Sequence, residues 1–139
     1  MTRNLSLAIA CLVAALLGCG EVKKQKECTE LVMKVNEAAQ EITKIKPGSS
    51  AAGFKDLANA CEKHAKVIDG IDISTPELKA QVSEYSKMWK EMANHSRAGA
   101  EALEKGNAAG MVSAVKALQT AAAKETELIK KMNSTCGRS

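Results

Sequence analysis

The sequence predicts an all-α protein, an up-down-up-down antiparallel four-helix bundle. Three observations predict it. Apolar residues recur at alternating spacings of three and four in four separate stretches, each the seam of a helix in a bundle. Phe54, Tyr85 and Trp89 are the whole aromatic set, alanine is abundant, and β-branched residues form no alternating runs, a composition for close-packed helices and not for sheets. The breaks between stretches are short, which makes consecutive helices antiparallel neighbours.

The first helix carries Cys28, Leu31, Val35, Ala38, Ile42 and Ile45 on its seam. Lys46-Pro47-Gly48-Ser49-Ser50 reads as a turn that supplies a cap for the second helix, whose seam is Phe54, Leu57, Cys61, Ala65 and Ile68. Gly70 ends that helix. Ser74-Thr75-Pro76-Glu77 opens the third: Thr75 can cap, Pro76 fits the first turn and Glu77 complements the dipole. The third seam runs Leu78, Val82, Tyr85, Trp89, Met92, Ser96, Gly99 and Leu103. Lys105-Gly106-Asn107 is a C-terminal glycine followed by an N-cap asparagine. The fourth seam runs Met111, Val115, Leu118, Ala122, Glu125, Ile129, Met132 and Cys136. The third and fourth helices are expected to run about 30 residues and the first two about 20–24, so the second hairpin should overhang the first by about 15 Å. Its tip is rich in small residues, including Ser96, Ala98, Gly99, Ala100, Ala102, Ala108, Ala109 and Gly110, which let two helices approach closely without a third partner.

Ahead of the bundle stands a different kind of segment. Arg3 is followed by an apolar run from Leu5 to Leu17 that ends in Gly18 and Cys19. This is the charged start, apolar middle and small-residue end of a secretory signal peptide, too short for a membrane span of about 20 residues. Leu16-Leu17-Gly18-Cys19 resembles the lipobox of bacterial lipoproteins. The resemblance implies that the Cys19 thiol takes a diacylglyceryl group, the chain is cut before it, and the new amino terminus is acylated with a fatty acid such as palmitate. An ordinary signal peptide cut after an A-x-A-like site, or a buried helix, is the alternative. The expected organisation is therefore a lipoprotein signal peptide over 1–18, a lipidated Cys19 with a short linker over 19–27, and the bundle over 28–139. The expected location is the cell envelope, facing the periplasm or the surface. Gly20 lacks the character of the Asp that marks inner-membrane retention in enteric bacteria, which favours the outer membrane.

The formal net charge is +4, and loss of Arg3 with the leader lowers it by one. This charge is spread along the chain with no aromatic platform for bases, so nucleic acid is not an expected partner. Lys23, Lys24 and Lys26 lie just behind Cys19. They read either as a solvated linker or as an aid to lying on anionic head groups.

The cysteines can be ranked by height along the bundle. Cys28 and Cys136 sit at the same end, on seams of helices that the topology makes neighbours. Cys61 lies roughly 10 Å higher, beyond disulfide reach of Cys28. With Cys19 committed to lipid, an oxidising compartment predicts a Cys28–Cys136 bridge and a buried free thiol at Cys61. The bridge closes a loop of about 110 residues, worth up to ~4.7 kcal/mol in the chain-entropy account.

Two groups of soft or imidazole donors are candidate metal sites: Cys61 with His64 at i, i+3, and Met88, Met92 and His95 at i, i+4, i+7, donors that suit copper(I). Two or three ligands on one helix leave a site open, and His64 and His95 differ in height by about 19 Å, so one ion cannot take both. No resident metal or cofactor is expected. Glu125 is the one acid on a seam. It falls within about a turn of Tyr85 and Cys61 in height, and reads either as a hydrogen-bond partner, for Tyr85 or for His64 a little further off, or as a residue facing water.

Beyond the leader, Thr75-Pro76-Glu77-Leu78-Lys79, the Ala/Leu/Glu-rich end of the third helix and the Gly106 turn into an Ala-rich last helix resemble the b-type four-helix cytochromes and the related cytochromes c-prime. That likeness implies an up-and-down bundle. The family's haem takes a Met early in the first helix and a His late in the fourth. Met33 matches the first position, but the fourth helix has no histidine, and no Cys-x-x-Cys-His attachment follows Cys136. The resemblance thus implies the fold and not the haem.

No nucleophile elbow, phosphate loop or convergent acid–base set is present. The expected function is a non-enzymatic, lipid-anchored bundle acting through contacts with another envelope protein. The rival is a carrier of a small ligand, copper or haem in the bundle core.

Overall fold

The computed structural model describes residues 3–45 and 50–137, with the side chains of the first helix described from residue 20 onward. The described residues are all-α, with four helices: α1 (Arg3–Thr43), α2 (Ala51–Asp69), α3 (Pro76–Glu104) and α4 (Ala108–Thr135). Each packs on the next in the chain, α1 on α2, α2 on α3 and α3 on α4. Of the expected turn at 46–50, only Ser50 lies within the described residues.

Local chemistry sets the helix ends. Ser50 Oγ accepts the Gly53 N–H at 3.1 Å, which satisfies one of the orphan donors of α2. Asn107 Oδ1 does the same for α4, accepting the Gly110 N–H at 2.9 Å. Gly106 between α3 and α4 has φ +63°, a left-handed conformation that a side chain disfavours. The start of α3 differs from expectation. The Thr75 side chain makes no cap hydrogen bond; the cap comes from Glu27, on α1.

Exposed ion pairs mark the register of α2 against α3. Lys55–Glu104, Glu62–Arg97 and Asp69–Lys90 step down the interface at seven-residue intervals. The top of α2 is therefore level with the top of α3, and Phe54 lies over Gly99, where an added Cβ would stand 3.0 Å from the ring. The small-residue tip thus has a third partner, contrary to the expected overhang there. It is the lower part of α3 that runs past α2. The connecting segment 70–75 covers it, burying Ile71 and Ile73 (9% and 6% exposed) beneath an extended backbone.

The seams of α2 and α3 are as expected, with Leu103 alone half-buried among the expected α3 positions. Because α3 is flanked by both α2 and α4, it also buries Met88, Ala93, Ala100 and Ala102. The seam of α4 is a correction. Its buried residues are Ala114, Ala121, Leu128 and Met132; Val115, Leu118, Glu125 and Ile129 are half-buried and Ala122 is exposed. Close approach to α3 selects the alanine face, since small side chains shorten the interaxial distance. Of the expected seam, Met132 is buried and Leu118, Ile129 and Cys136 pack half-buried against the core; on the side facing α1 the helix backbones do not approach closely. Cys28 and Cys136 bridge that wider side.

Residues 20–27, expected to be a linker, are helical and continuous with α1. Most of them are exposed, Val22 at 70%, so this stretch projects from the bundle as a solvated extension. From Cys28 back to Cys19, nine residues of helix span about 14 Å.

Candidate functional site

At mid-height the core contains a polar and aromatic cluster contributed by three helices. Cys61 and His64 come from α2, Tyr85 and Trp89 from α3, and Glu125 from α4. His64 meets Trp89 edge-on with ring centroids 4.6 Å apart, and Tyr85 at 6.0 Å; Tyr85 and Trp89 are also edge-on at 6.0 Å. Such geometry matches the positive edge of one ring to the negative face of the next. The Tyr85 hydroxyl donates to Glu125 Oε1 at 3.0 Å. Of the two readings of Glu125, the structure selects the partnered one.

Burial sets the protonation states. The Cys61 thiol is pushed up to about 12, by burial first and by the Glu125 charge second. Burial pushes His64 down to about 4, against a small opposing effect of Glu41. Burial also raises Glu125, opposed by the hydrogen bond from Tyr85, and raises Tyr85, again with Glu125 second. At neutral pH the site therefore holds a thiol, a neutral imidazole and a phenol. A nucleophilic or redox-active cysteine needs the opposite, a thiolate favoured by exposure and a positive neighbour. His64 Nε2 is buried without a hydrogen-bond partner, and the ring is held by aromatic packing.

The metal candidates sit in different surroundings. Met88 is fully buried and Met92 is 8% exposed, while His95 is half-buried and lines a surface groove between α3 and α4 with Ala98, Ala102 and Ala114. Cys61 and His64 have no third donor: among the described residues no group of three His, Cys, Asp or Glu side chains could hold an ion. Met33, the positional match to a haem ligand, is 53% exposed and points away from the core.

The second site is the lower end of the bundle. Cys28 and Cys136 form a disulfide with Cα atoms 5.7 Å apart, and Cys61 is the buried free cysteine. Beside the bridge, Glu27 is 5% exposed. Its Oε1 accepts the Ser74 N–H at 2.9 Å and the Ser74 hydroxyl, and its Oε2 accepts the Thr75 N–H at 3.1 Å. The Ser74 hydroxyl above all, joined by Thr75 and the two backbone N–H groups, outweighs burial and holds the carboxyl at about 2. The carboxylate sits at the positive end of the α3 dipole, where negative charge is favoured. Sequence reasoning missed this residue, because the seam spacing begins at Cys28 and Glu27 precedes it.

The Cys19 side chain lies outside the described residues, and with it the lipobox. Among the described residues no helix is long and apolar enough to cross a membrane. The chain matches no protein-family model, and neither a curated protein nor a solved structure matches it significantly.

Proposed function

We propose that this chain is a lipid-anchored lipoprotein of the cell envelope whose helical bundle acts through protein contacts and not as an enzyme. The observation that carries the reading is Leu16-Leu17-Gly18-Cys19 at the end of an apolar run with a single leading charge. The helical extension over 20–27 suits it, since it would join an anchor at Cys19 to the bundle as a short rigid stalk. The protonated, buried Cys61 and the neutral, packed His64 support a non-enzymatic role: the groups with chemical potential are committed to the core. The outer membrane is the favoured location, and a protein of the same compartment the favoured partner.

Crosslinking in native envelopes, followed by mass spectrometry, tests the reading. A discrete crosslinked envelope protein, recovered through residues exposed on the bundle, is the expected result. Purified protein with a Soret band or with stoichiometric copper would contradict it and favour a ligand carrier.

A further inference from the structure

Helix α1 is held differently from the other three. Among the described residues its only helix neighbour in close backbone contact is α2, and of its described side chains only Glu27, Cys28, Leu31 and Ala38 are buried. By contrast α3 buries residues from Leu78 to Ala102. The other ties of α1 are the Glu27 cap, the exposed ion pair Glu41–Lys63, a kind of contact that contributes little, and the Cys28–Cys136 bridge. The bridge spans the side on which the backbones of α1 and α4 do not approach closely. Its two cysteines line an open groove of about 760 Å³, together with Val22, Gln25 and Met33. Cys136 is half-buried while Cys28 is 2% exposed, so an attacking thiolate reaches Cys136 first. At the other end of α1, Ala38 and Ile42 share a wall with Ala60 and His64, the residues that flank Cys61 on α2. Cys61 itself is 0% exposed.

We propose that the Cys28–Cys136 bridge is a redox latch: a dithiol reduces it, α1 lifts from an α2–α3–α4 unit that stays folded, and the Cys61 thiol is uncovered. One thiolate of the dithiol attacks the Cys136 sulfur, forming a mixed disulfide and expelling the Cys28 thiolate, which takes up a proton. The second thiol of the reductant then attacks its own sulfur in the mixed disulfide. Cys136 leaves as a thiol and the dithiol departs as a disulfide, so two electrons pass to the protein and none are left over. What remains of the attachment of α1 is then Leu31 and Ala38, buried, Val35 and Ile42, half-buried against the core, one exposed ion pair and the Glu27 cap. Local opening draws on elements with few buried apolar contacts, and α1 is the helix of this bundle that has fewest. The proposal rests on the packing of the helices and is independent of the lipid anchor.

Amide hydrogen exchange on the full chain tests it, comparing the bridged protein with the Cys28→Ser/Cys136→Ser variant. Residues 28–43 should exchange at least about tenfold faster in the variant, with the α3 amides within about threefold of the bridged protein. N-ethylmaleimide should label Cys61, followed by peptide mapping, at least about tenfold faster in the variant for the same reason. Native protein pulsed with dithiothreitol and sampled by exchange over seconds makes the same comparison without a substitution. Unchanged protection of 28–43, or unchanged labelling of Cys61, would overturn the latch. So would joint loss of protection in α1 and α3 after the pulse, which would make the bridge a staple of the whole fold.

Discussion

Replacing Glu27 by Gln isolates a single charge at the foot of the bundle. The substitution keeps the shape and one acceptor for Ser74, but removes the negative charge and turns an amide toward the Thr75 N–H. The magnitude follows from the carboxyl, held at about 2 against an ordinary 4.5. At 1.36 kcal/mol per unit this is about 3 kcal/mol at pH 7, and partial screening at the bundle's end brings it to about 2–3 kcal/mol. The sign is that of a depressed acid. The stabilisation is fully present above 4.5 and is lost as pH falls toward 2. The same linkage leaves only about 1 kcal/mol at pH 3. Urea unfolding of wild type and Glu27→Gln at pH 7 and pH 3, with equal slopes, gives both differences. A gap of about 2–3 kcal/mol that narrows to about 1 is the expected outcome. An equal gap at both pH values, or none at pH 7, would refute the charge-based cap.

Glu125→Gln should do the reverse. Because burial raises this carboxyl, its ionised form is disfavoured in the fold, so the neutral amide should raise stability at pH 7, and the gain should vanish at pH 3; denaturation at the two pH values checks both. Gly99→Val should cost about 1–3 kcal/mol by overpacking, since its Cβ would meet the Phe54 ring at 3.0 Å. Thermal unfolding of the single and Phe54→Leu double variants should show the two changes to be non-additive. Cys61→Ala should cost about 1–2 kcal/mol, the loss of a small buried group, by chemical denaturation of the bridged protein.

Much of the architecture was legible because helix seams are periodic. Phe54, Leu57, Cys61, Ala65 and Ile68 could be read directly, and with them the height of Cys61 relative to Cys28 and Cys136. That single measure of height separated the bridge from the free thiol. The seam of α4 was misread by one position because its apolar residues are spread over two adjacent faces. Which face is buried depends on how closely α3 approaches, and that is a tertiary fact. Ile71 and Ile73 were missed for a related reason: they lie in a connection whose two-residue apolar spacing was overlooked against the helical pattern. Of the polar cluster, the partnership of Tyr85 with Glu125 could be anticipated from height along the bundle. The edge-on setting of His64 against Trp89 could not, since it depends on side-chain rotation about neighbouring helices. Glu27 escaped because its partners, the Ser74 hydroxyl and the backbone N–H groups of Ser74 and Thr75, lie 47 and 48 residues away, and such a pairing leaves no mark in helical periodicity.

The anchor is the centre of the functional account, and the mass of the mature amino terminus tests it most directly. Protein extracted from membranes with detergent should begin at Cys19 and carry a diacylglyceryl group on sulfur and an amide-linked fatty acid. Those chains exceed the two signals needed for stable attachment, and the Cys19→Ser variant should lose them and leave the membrane fraction. An unmodified amino terminus at any other residue, or a Ser variant processed and membrane-bound like the wild type, would contradict the lipoprotein reading.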